Sequence, residues 1–377
     1  MAGILLDLLA ATTGGQVTRA EAFLRRVRAY APETRLVIVK DRDSLSFIDG
    51  GADWEVINVP IGAGRLRAVR RMAWENFALP RLMCKQQLNV YLTFSHYLPR
   101  MLGSGIHSIV GVSNLAPFSA EAWSVESNAV RFRMWLLHHT IISSAKRADQ
   151  VIALSNTCKR ILVKHGVDES KIEAIPNGVE PLLSCASQAS QPDPECGVPY
   201  ILSVSHFYRY KNFERLVEAY SLLPSSLREC FHLVIVGESY DAAYSKEIKG
   251  LIAQLGIEGR VQIIPGADRT TLDKCYRNAS LFVFTSLIEN SPNILLEAMS
   301  YGLPIVAGNI EPMPEFGANG VRYFEVMSST DLAKQISEIL TNPNSAAMLG
   351  QCALVRANDF SWDAFTKSVV GMCANVS

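Results

Sequence analysis

No two of the eight cysteines (84, 158, 185, 196, 230, 275, 352 and 373) form a CxxC pair or fall at Cys/His spacing. That argues against a disulfide scaffold and a structural zinc site, and the thiols read as reduced core residues of a cytosolic protein. No apolar run reaches the roughly 18 residues that a membrane span needs. The longest early one, Gly3 to Ala11, is interrupted by Asp7 and lacks a basic flank, so no secretory signal is expected. Net charge is absent too: 36 Lys+Arg balance 36 Asp+Glu, which argues against a protein that coats nucleic acid. The GxGxxG fingerprint of dinucleotide-binding dehydrogenases is missing from the first strand–helix junction.

The sequence does have 377 residues, 49% of them hydrophobic, enough for two to three domains of about 150 residues with cores of their own. Its zero charge is the sum of unequal halves. Residues 1–180 hold 22 Lys+Arg and 16 Asp+Glu, while residues 181–377 hold 14 and 20, so a +6 half precedes a −6 half. A basic half suggests an anionic surface or substrate on one side.

Strand-length apolar runs alternate with segments of helical period, the pattern of α/β units around parallel sheets. Strands are expected near 3–10, 35–39, 54–59, 88–94, 106–112, 150–154 and 172–175, with helices near 18–30, 66–86, 121–147 and 156–165. A Ser/Gln/Pro-rich stretch over 176–199, opening on Pro176-Asn177-Gly178, reads as a linker. The alternation then restarts, with strands near 200–205, 232–237, 260–264, 281–285 and 304–307. Helices are expected near 212–223, 242–255, 270–278, 292–301, 330–341 and 344–358. Two doubly wound α/β domains joined in this way can take a ligand at their carboxyl-end crevices.

Three strand–helix junctions carry chemistry. At the first, Gly14-Gly15 precedes a helix marked by Thr18-x-x-Glu21, a capping-box pattern. The glycines let the backbone approach a ligand, although a plain tight turn explains them as well. At the second, Ser205-His206-Phe207-Tyr208-Arg209-Tyr210-Lys211-Asn212 puts two cations before a helix with Asn212 as its expected N-cap. The macrodipole disfavours cations there. They are either solvated loop charges or the walls of a diphosphate site. The third junction, Thr285 to Pro304, predicts a helix with Ser291 as N-cap, Pro292 at its first position and Gly302 and Pro304 as its stop. Glu289 stands before this helix and Glu297 in its second turn. Carboxylates accept hydrogen bonds from sugar hydroxyls, but each could equally be an ordinary solvated residue.

Glu289-x7-Glu297, running into Ala298-Met299-x-x-Gly302-x-Pro304, resembles the signature of retaining glycosyltransferases of the GT-B fold, specifically the group-1, family-4 type. The likeness extends to Lys211-Asn212, Ile175-Pro176-Asn177-Gly178-Val179, Gly266 and Phe360-Ser361-Trp362, so it is dense over 175–365. In the first half it rests on element order, Gly14-Gly15 and Ala153-Leu154-Ser155. The resemblance implies an α/β protein of two Rossmann-like domains facing each other across a cleft. Residues 1–180 would bind acceptor and 181–358 the nucleotide-sugar donor, with 359–377 a helix crossing back to the first domain. Glu289 would hold donor-sugar hydroxyls, Glu297 the ribose hydroxyls, and Lys211 would neutralise the departing diphosphate. Asn290, Ser291, Pro292 and Asn293, with Gly14, Gly15, Ser205 and Gly266, would complete the donor site. The activity implied is transfer of a hexose or deoxyhexose, with retention and without metal or other cofactor, to a saccharide or lipid-linked acceptor in surface-polysaccharide synthesis.

Two departures stand out. Ser205-His206 replaces the family's usual Gly-Arg, which leaves Arg209 to supply a second positive charge. Asn114 stands where many members carry a His, and can hydrogen-bond a sugar without general-acid capacity. These leave open a non-catalytic nucleotide-sugar-binding scaffold, or a sugar-nucleotide epimerase. Asp41-Arg42-Asp43 resembles a metal-binding DxD but lies far from the second-half constellation, and adjacent His138-His139 on a helix face different ways. No metal site is expected. The stretch Arg65 to Lys85 mixes arginines with Leu66, Val69, Met72, Trp74 and Phe77. It is either a helix whose apolar stripe packs inward with solvated arginines or one that lies on an anionic membrane. The second alternative would put a cytoplasmic protein at the inner face of the cytoplasmic membrane.

Overall fold

Runs such as Ile4-Leu5-Leu6 and Leu36-Val37-Ile38-Val39 are apolar at consecutive positions, which suits strands covered on both faces. The computed structural model, which describes residues 3–12, 14–48, 54–64, 66–180 and 197–374, builds two parallel sheets from them. In chain order the first elements are β1 (Ile4–Asp7), α1 (Gly15–Tyr30), β2 (Leu36–Asp41), β3 (Glu55–Val59), α2 (Arg67–Phe77), α3 (Leu79–Lys85), β4 (Val90–Thr93) and β5 (His107–Val112). Next come α4 (Ala120–Val125), α5 (Asn128–Arg147), β6 (Gln150–Ala153), α6 (Asn156–Lys164) and β7 (Ile172–Ala174). The second run is β8 (Tyr200–Val204), α7 (Phe213–Ser221), α8 (Ser225–Cys230), β9 (His232–Val236), α9 (Ala242–Gln254), β10 (Val261–Ile264), α10 (Arg269–Asn278) and β11 (Leu281–Phe284). It continues with α11 (Asn293–Ser300), β12 (Ile305–Gly308), α12 (Met313–Gly317), β13 (Arg322–Phe324), α13 (Ser329–Leu340), α14 (Pro343–Ala357) and α15 (Trp362–Ala374).

The strand orders are β3-β2-β1-β4-β5-β6-β7 and β10-β9-β8-β11-β12-β13. Each sheet therefore reverses its winding once, between β1 and β4 and between β8 and β11. Loops leaving the carboxyl ends of those strands are where an open α/β sheet binds ligands. The chain divides into two compact units. One comprises residues 1–118, 132–178 and 361–377; the other comprises 119–131 and 179–360.

In the first unit α15 packs on α1, and Phe94 joins them, 5.5 Å from Phe23 edge to face and 5.8 Å from Phe365. Burying each such ring contributes about 1.5–3 kcal/mol. In the second unit the sheet is clothed on one face by α7, α9 and α13 and on the other by α11 and α14.

Several expectations need correction. The single helix expected over 66–86 is two, because Pro80 cannot continue the hydrogen-bond ladder of α2 and instead sits in the first turn of α3. The one expected over 121–147 is α4 and α5. The short edge strand β13, with an exposed arginine, gave no apolar run to read. The capping box fails: Gly14, at φ 65°, starts α1 at Gly15, which places Thr18 inside the helix. Most of the expected linker, residues 181–196, lies outside the described residues, as do Thr13 and Arg65.

Candidate functional site

In the second unit two hydrogen bonds join the loops leaving β8 and β11. Leu287 donates its N–H to the Tyr210 carbonyl at 2.7 Å, and Thr285 Oγ1 donates to the Lys211 carbonyl at 2.8 Å. Lys211 closes a single 3-10 turn, Arg209–Lys211, and Asn212 after it takes a left-handed conformation at φ 57°. Asn212 therefore occupies the helix-start position without capping it; its Nδ2 donates instead to the Val326 carbonyl at 3.1 Å. These restraints bring the Lys211 ammonium to 2.5 Å from Glu289 Oε1, with both side chains largely buried. The ammonium also lies 5.1 Å from the Tyr210 ring centre and 5.6 Å from that of Phe284. An apolar wall of aromatic faces strengthens a cation's attraction for an incoming anion by excluding water.

Tyr210 begins a stack. Tyr208 lies parallel to it at 5.5 Å and to Tyr240 at 5.6 Å, with His206 edge-on to Tyr240. His206 Nδ1 accepts the Glu238 N–H at 3.4 Å, and burial is the main cause holding its pKa below the usual histidine range. It is thus a neutral ring where the resembling family has an arginine. Ser205 is fixed by its own N–H to the Val236 carbonyl at 2.9 Å, and only glycine is possible at 237: a Cβ there would sit 1.7 Å from the Ser205 oxygen.

Arg209 points elsewhere. Its two terminal nitrogens grip the Glu247 carboxylate at 2.7 Å each, and Asp241 lies 3.8 Å from Nε. The hydrogen bond to Glu247 raises its pKa further. Two carboxylates thus already answer this charge.

The helix at the third junction begins one residue later than expected: Pro292 is the N-cap, with no side-chain cap, and Asn293 opens α11. Asn290 is buried in the preceding loop, and Ser291, Pro292 and Asn293 line the helix start. Glu297, in the second turn, accepts a long hydrogen bond from Tyr276 at 3.4 Å and lies 3.6 Å from Arg269 at the start of α10. Burial pushes its pKa up. Gly266, at φ +75° in the loop just before α10, has the Glu238 side chain above it, where a Cβ would meet Oε1 at 3.2 Å. The second unit therefore gathers Ser205, Lys211, Glu289 and the α11 start on loops that leave neighbouring strands. Glu297 and Gly266 stand on α11 and the adjoining β10–α10 loop.

In the first unit Gly14 is the N-cap of α1, no side chain caps it, and no acid occupies the first turn; Val17 and Thr18 donate to the Gly14 carbonyl at 2.9 and 3.3 Å. Gln16 Nε2 bonds Ser113 Oγ at 3.0 Å, tying this loop to the one that bears Asn114. Asn114 is exposed, and its Oδ1 accepts the Ala116 N–H at 2.9 Å. Among the described residues no group of three His, Cys, Asp or Glu side chains could hold a metal. Asp41 instead accepts from Arg67 at 2.9 Å, and the His138 ring packs at a tilt on Phe118 and edge to face on His165.

Sequence reasoning missed a buried polar group beneath the Gly14 loop. Asp7 accepts from the Leu9 N–H and the Tyr91 hydroxyl, each at 2.9 Å, while Arg67 donates to the Leu9 carbonyl at 3.2 Å. Leu9 is thus held from both sides. Glu75 is buried close to Asp7, with Arg71 Nε at 3.5 Å. Burial first, then the Asp7 charge, pushes the Glu75 carboxyl up to about 9. Arg19, also buried, donates to Asn177 Oδ1 at 2.8 Å, and burial lowers its pKa to about 9. Alternating polarity in α2 gives no hint that its acid faces inward.

Residues 188–354 match the family described as Glycosyl transferases group 1, and residues 13–181 match Glycosyltransferase Family 4. An uncharacterized glycosyltransferase of Haemophilus influenzae is 28% identical over 164 residues, 42% of this chain and 44% of that protein. The O-antigen chain mannosyltransferase B of Escherichia coli is 25% identical over 171 residues, 45% of this chain and 44% of that protein. The chain thus spans less than half the length of these two relatives. Among solved structures, Anabaena HepE in complex with UDP and glucose superposes with TM-score 0.76 at 18% identity, over 99% of this chain and 100% of that one, which establishes the likeness of fold.

Proposed function

With each half matched to a glycosyltransferase family, the chain belongs to the group-1 glycosyltransferases of GT-B fold, and we propose that it transfers a hexose or deoxyhexose from a nucleotide sugar to a saccharide or lipid-linked saccharide. The carrying observation is the Lys211–Glu289 pair on the two loops that leave the reversal point of the second sheet. A nucleoside diphosphate leaving from a sugar carbon develops negative charge on its outer phosphate. A buried ammonium fixed by two loop-to-loop hydrogen bonds stabilises that charge without reorganising. Glu289 then takes sugar hydroxyls and holds Lys211 in place before the donor arrives. Glu297, beside Arg269 and near the Gly266 loop, takes the ribose hydroxyls. The uncapped start of α11 offers backbone N–H groups to phosphate and sugar. With leaving-group charge met by Lys211 and a helix start, we assign the reaction no metal, and the configuration at the sugar carbon is retained. The E. coli relative's name, an O-antigen chain mannosyltransferase, supports a role in O-antigen or exopolysaccharide synthesis. The scattered cysteines suit a reducing, cytoplasmic compartment.

The neutral His206 and the engaged Arg209 favour one competing reading, a nucleotide-sugar-binding scaffold. Purified protein is tested with UDP-, GDP-, dTDP- and ADP-sugars and saccharide acceptors, with and without EDTA. Transfer that survives EDTA supports the proposal; donor binding without transfer in any pairing supports the scaffold.

A further inference from the structure

Residues 67–118 and 132–147 of the first unit contain nine Lys or Arg and one acid, Glu75, which is buried. Beside them, several large apolar side chains at α2 and on α5 are turned outward. Glu75 is the buried residue of α2 and Arg71 is largely covered, so the Arg71–Glu75 pair faces inward while Arg70 stays exposed. Leu66, Val69 and Phe77 are 66%, 62% and 57% exposed, at spacings of three and eight that keep them on one helical face. On α5, Phe132, Trp135 and Leu136 are 61%, 50% and 47% exposed, a second stripe at i, i+3, i+4. The Phe132 and Trp135 rings stack at 6.0 Å. Right-handed crossovers from β3 to β4 and from β5 to β6 run opposite to that from β1 to β2, so α2 and α5 share the sheet face away from α1. The loop after β4 joins them. Asn76 of α2 donates to the Tyr97 hydroxyl at 2.6 Å and accepts from the Arg100 N–H at 2.7 Å; Arg147 of α5 donates to the Leu98 carbonyl at 2.7 Å.

We propose that this face, formed by α2, α3, the 97–101 loop and α5, docks on an anionic lipid bilayer. Leu66, Val69, Phe77, Phe132 and Trp135 enter the interfacial layer, where indole and phenyl rings partition well. Exposed Arg70, Arg81, Lys85, Arg100 and Arg133 meet lipid phosphates. Charge chooses this occupant over a protein: a surface of one sign with an apolar centre matches a phosphate plane above acyl chains.

The full chain is sedimented with vesicles of phosphatidylethanolamine containing phosphatidylglycerol, and with vesicles of phosphatidylcholine alone. Wild-type protein is expected to partition at least about tenfold more strongly to the anionic vesicles, and less so in high salt. The pairs Val69→Ser/Phe77→Ser, Phe132→Ser/Trp135→Ser and Arg70→Gln/Arg133→Gln should each reduce that partition about tenfold with unchanged melting temperature. Equal binding to both vesicles, no binding, variants that bind like wild type, or apolar variants that abolish a dimer seen by size exclusion would each overturn the proposal. Vesicle binding needs neither donor nor acceptor, so its outcome is separate from that of the transfer assay.

Discussion

Lys211 and Glu289 are 78 positions apart, and their Nζ and Oε1 atoms meet at 2.5 Å. The contact is enforced by the backbone bond from Leu287 to Tyr210 and the bond from the Thr285 hydroxyl to the Lys211 carbonyl, so the pair is set before any ligand arrives. Lys211→Ala should lower kcat by about 10²–10³, the cost of losing one fixed electrostatic group at a developing charge. Glu289→Gln should lower it comparably. Because the residues share one interaction, the double variant should lose much less than the product of the two, measured as a double-mutant cycle in kcat.

Arg209 should behave differently. Its grip on Glu247 is a partly exposed ion pair, worth under about 1 kcal/mol. Arg209→Gln is expected to leave the melting temperature nearly unchanged and to lower kcat far less than Lys211→Ala. An equal loss in both variants would show that Arg209 leaves Glu247 for the diphosphate.

The Glu75 carboxyl titrates near 9 in the folded protein, against an ordinary value of 4.5. Below 4.5 it is protonated in both folded and unfolded chains and does not bias stability. Between 4.5 and about 9 the unfolded chain has lost this proton and the folded one retains it, so stability falls as pH rises through that window. Glu75→Gln removes this slope. Melting curves should show the variant gaining on wild type from pH 5 to pH 8.5; parallel curves would refute the buried neutral acid.

Gly178 explains two stretches of sequence at once. A Cβ on it would lie 2.1 Å from the Trp362 nitrogen, so Gly178 is the residue that lets the backbone of Ser361-Trp362 pass this closely. Gly178→Ala should cost at least about 1–3 kcal/mol through forced backbone movement, read as urea-unfolding stability. Gly105→Ala, with no atom within 4 Å of its Cβ, should change it by well under that.

Every strand expected from apolar runs is present, because in a doubly wound fold the strands are buried on both faces and hydrophobicity alone marks them. Lys211, Glu289 and Glu297 were legible for a related reason: they stand just beyond strand ends or on a helix bounded by Pro292 and Gly302. Orientation was not legible. Arg65 to Lys85 reads from sequence as a basic amphipathic helix of either facing, and only the burial of Glu75 with Arg71 shows which side of α2 packs inward. Helix starts were misplaced where backbone conformation overrode side-chain capping, at Gly14 with its positive φ and at Pro292. The Arg19–Asn177 contact joins residues 158 positions apart and leaves no local trace.

In the proposed function a nucleotide sugar is held by Lys211, Glu289 and Glu297 in the second unit. Thermal unfolding of wild type, Lys211→Ala and Glu297→Ala with UDP-, GDP-, dTDP- and ADP-sugars tests it most directly, since a ligand at 100 times its Kd stabilises by about 2.7 kcal/mol. One donor should raise the wild-type melting temperature by several degrees, with the shift lost in Glu297→Ala and reduced in Lys211→Ala. A shift of equal size in all three proteins, or none with any donor, would contradict the account.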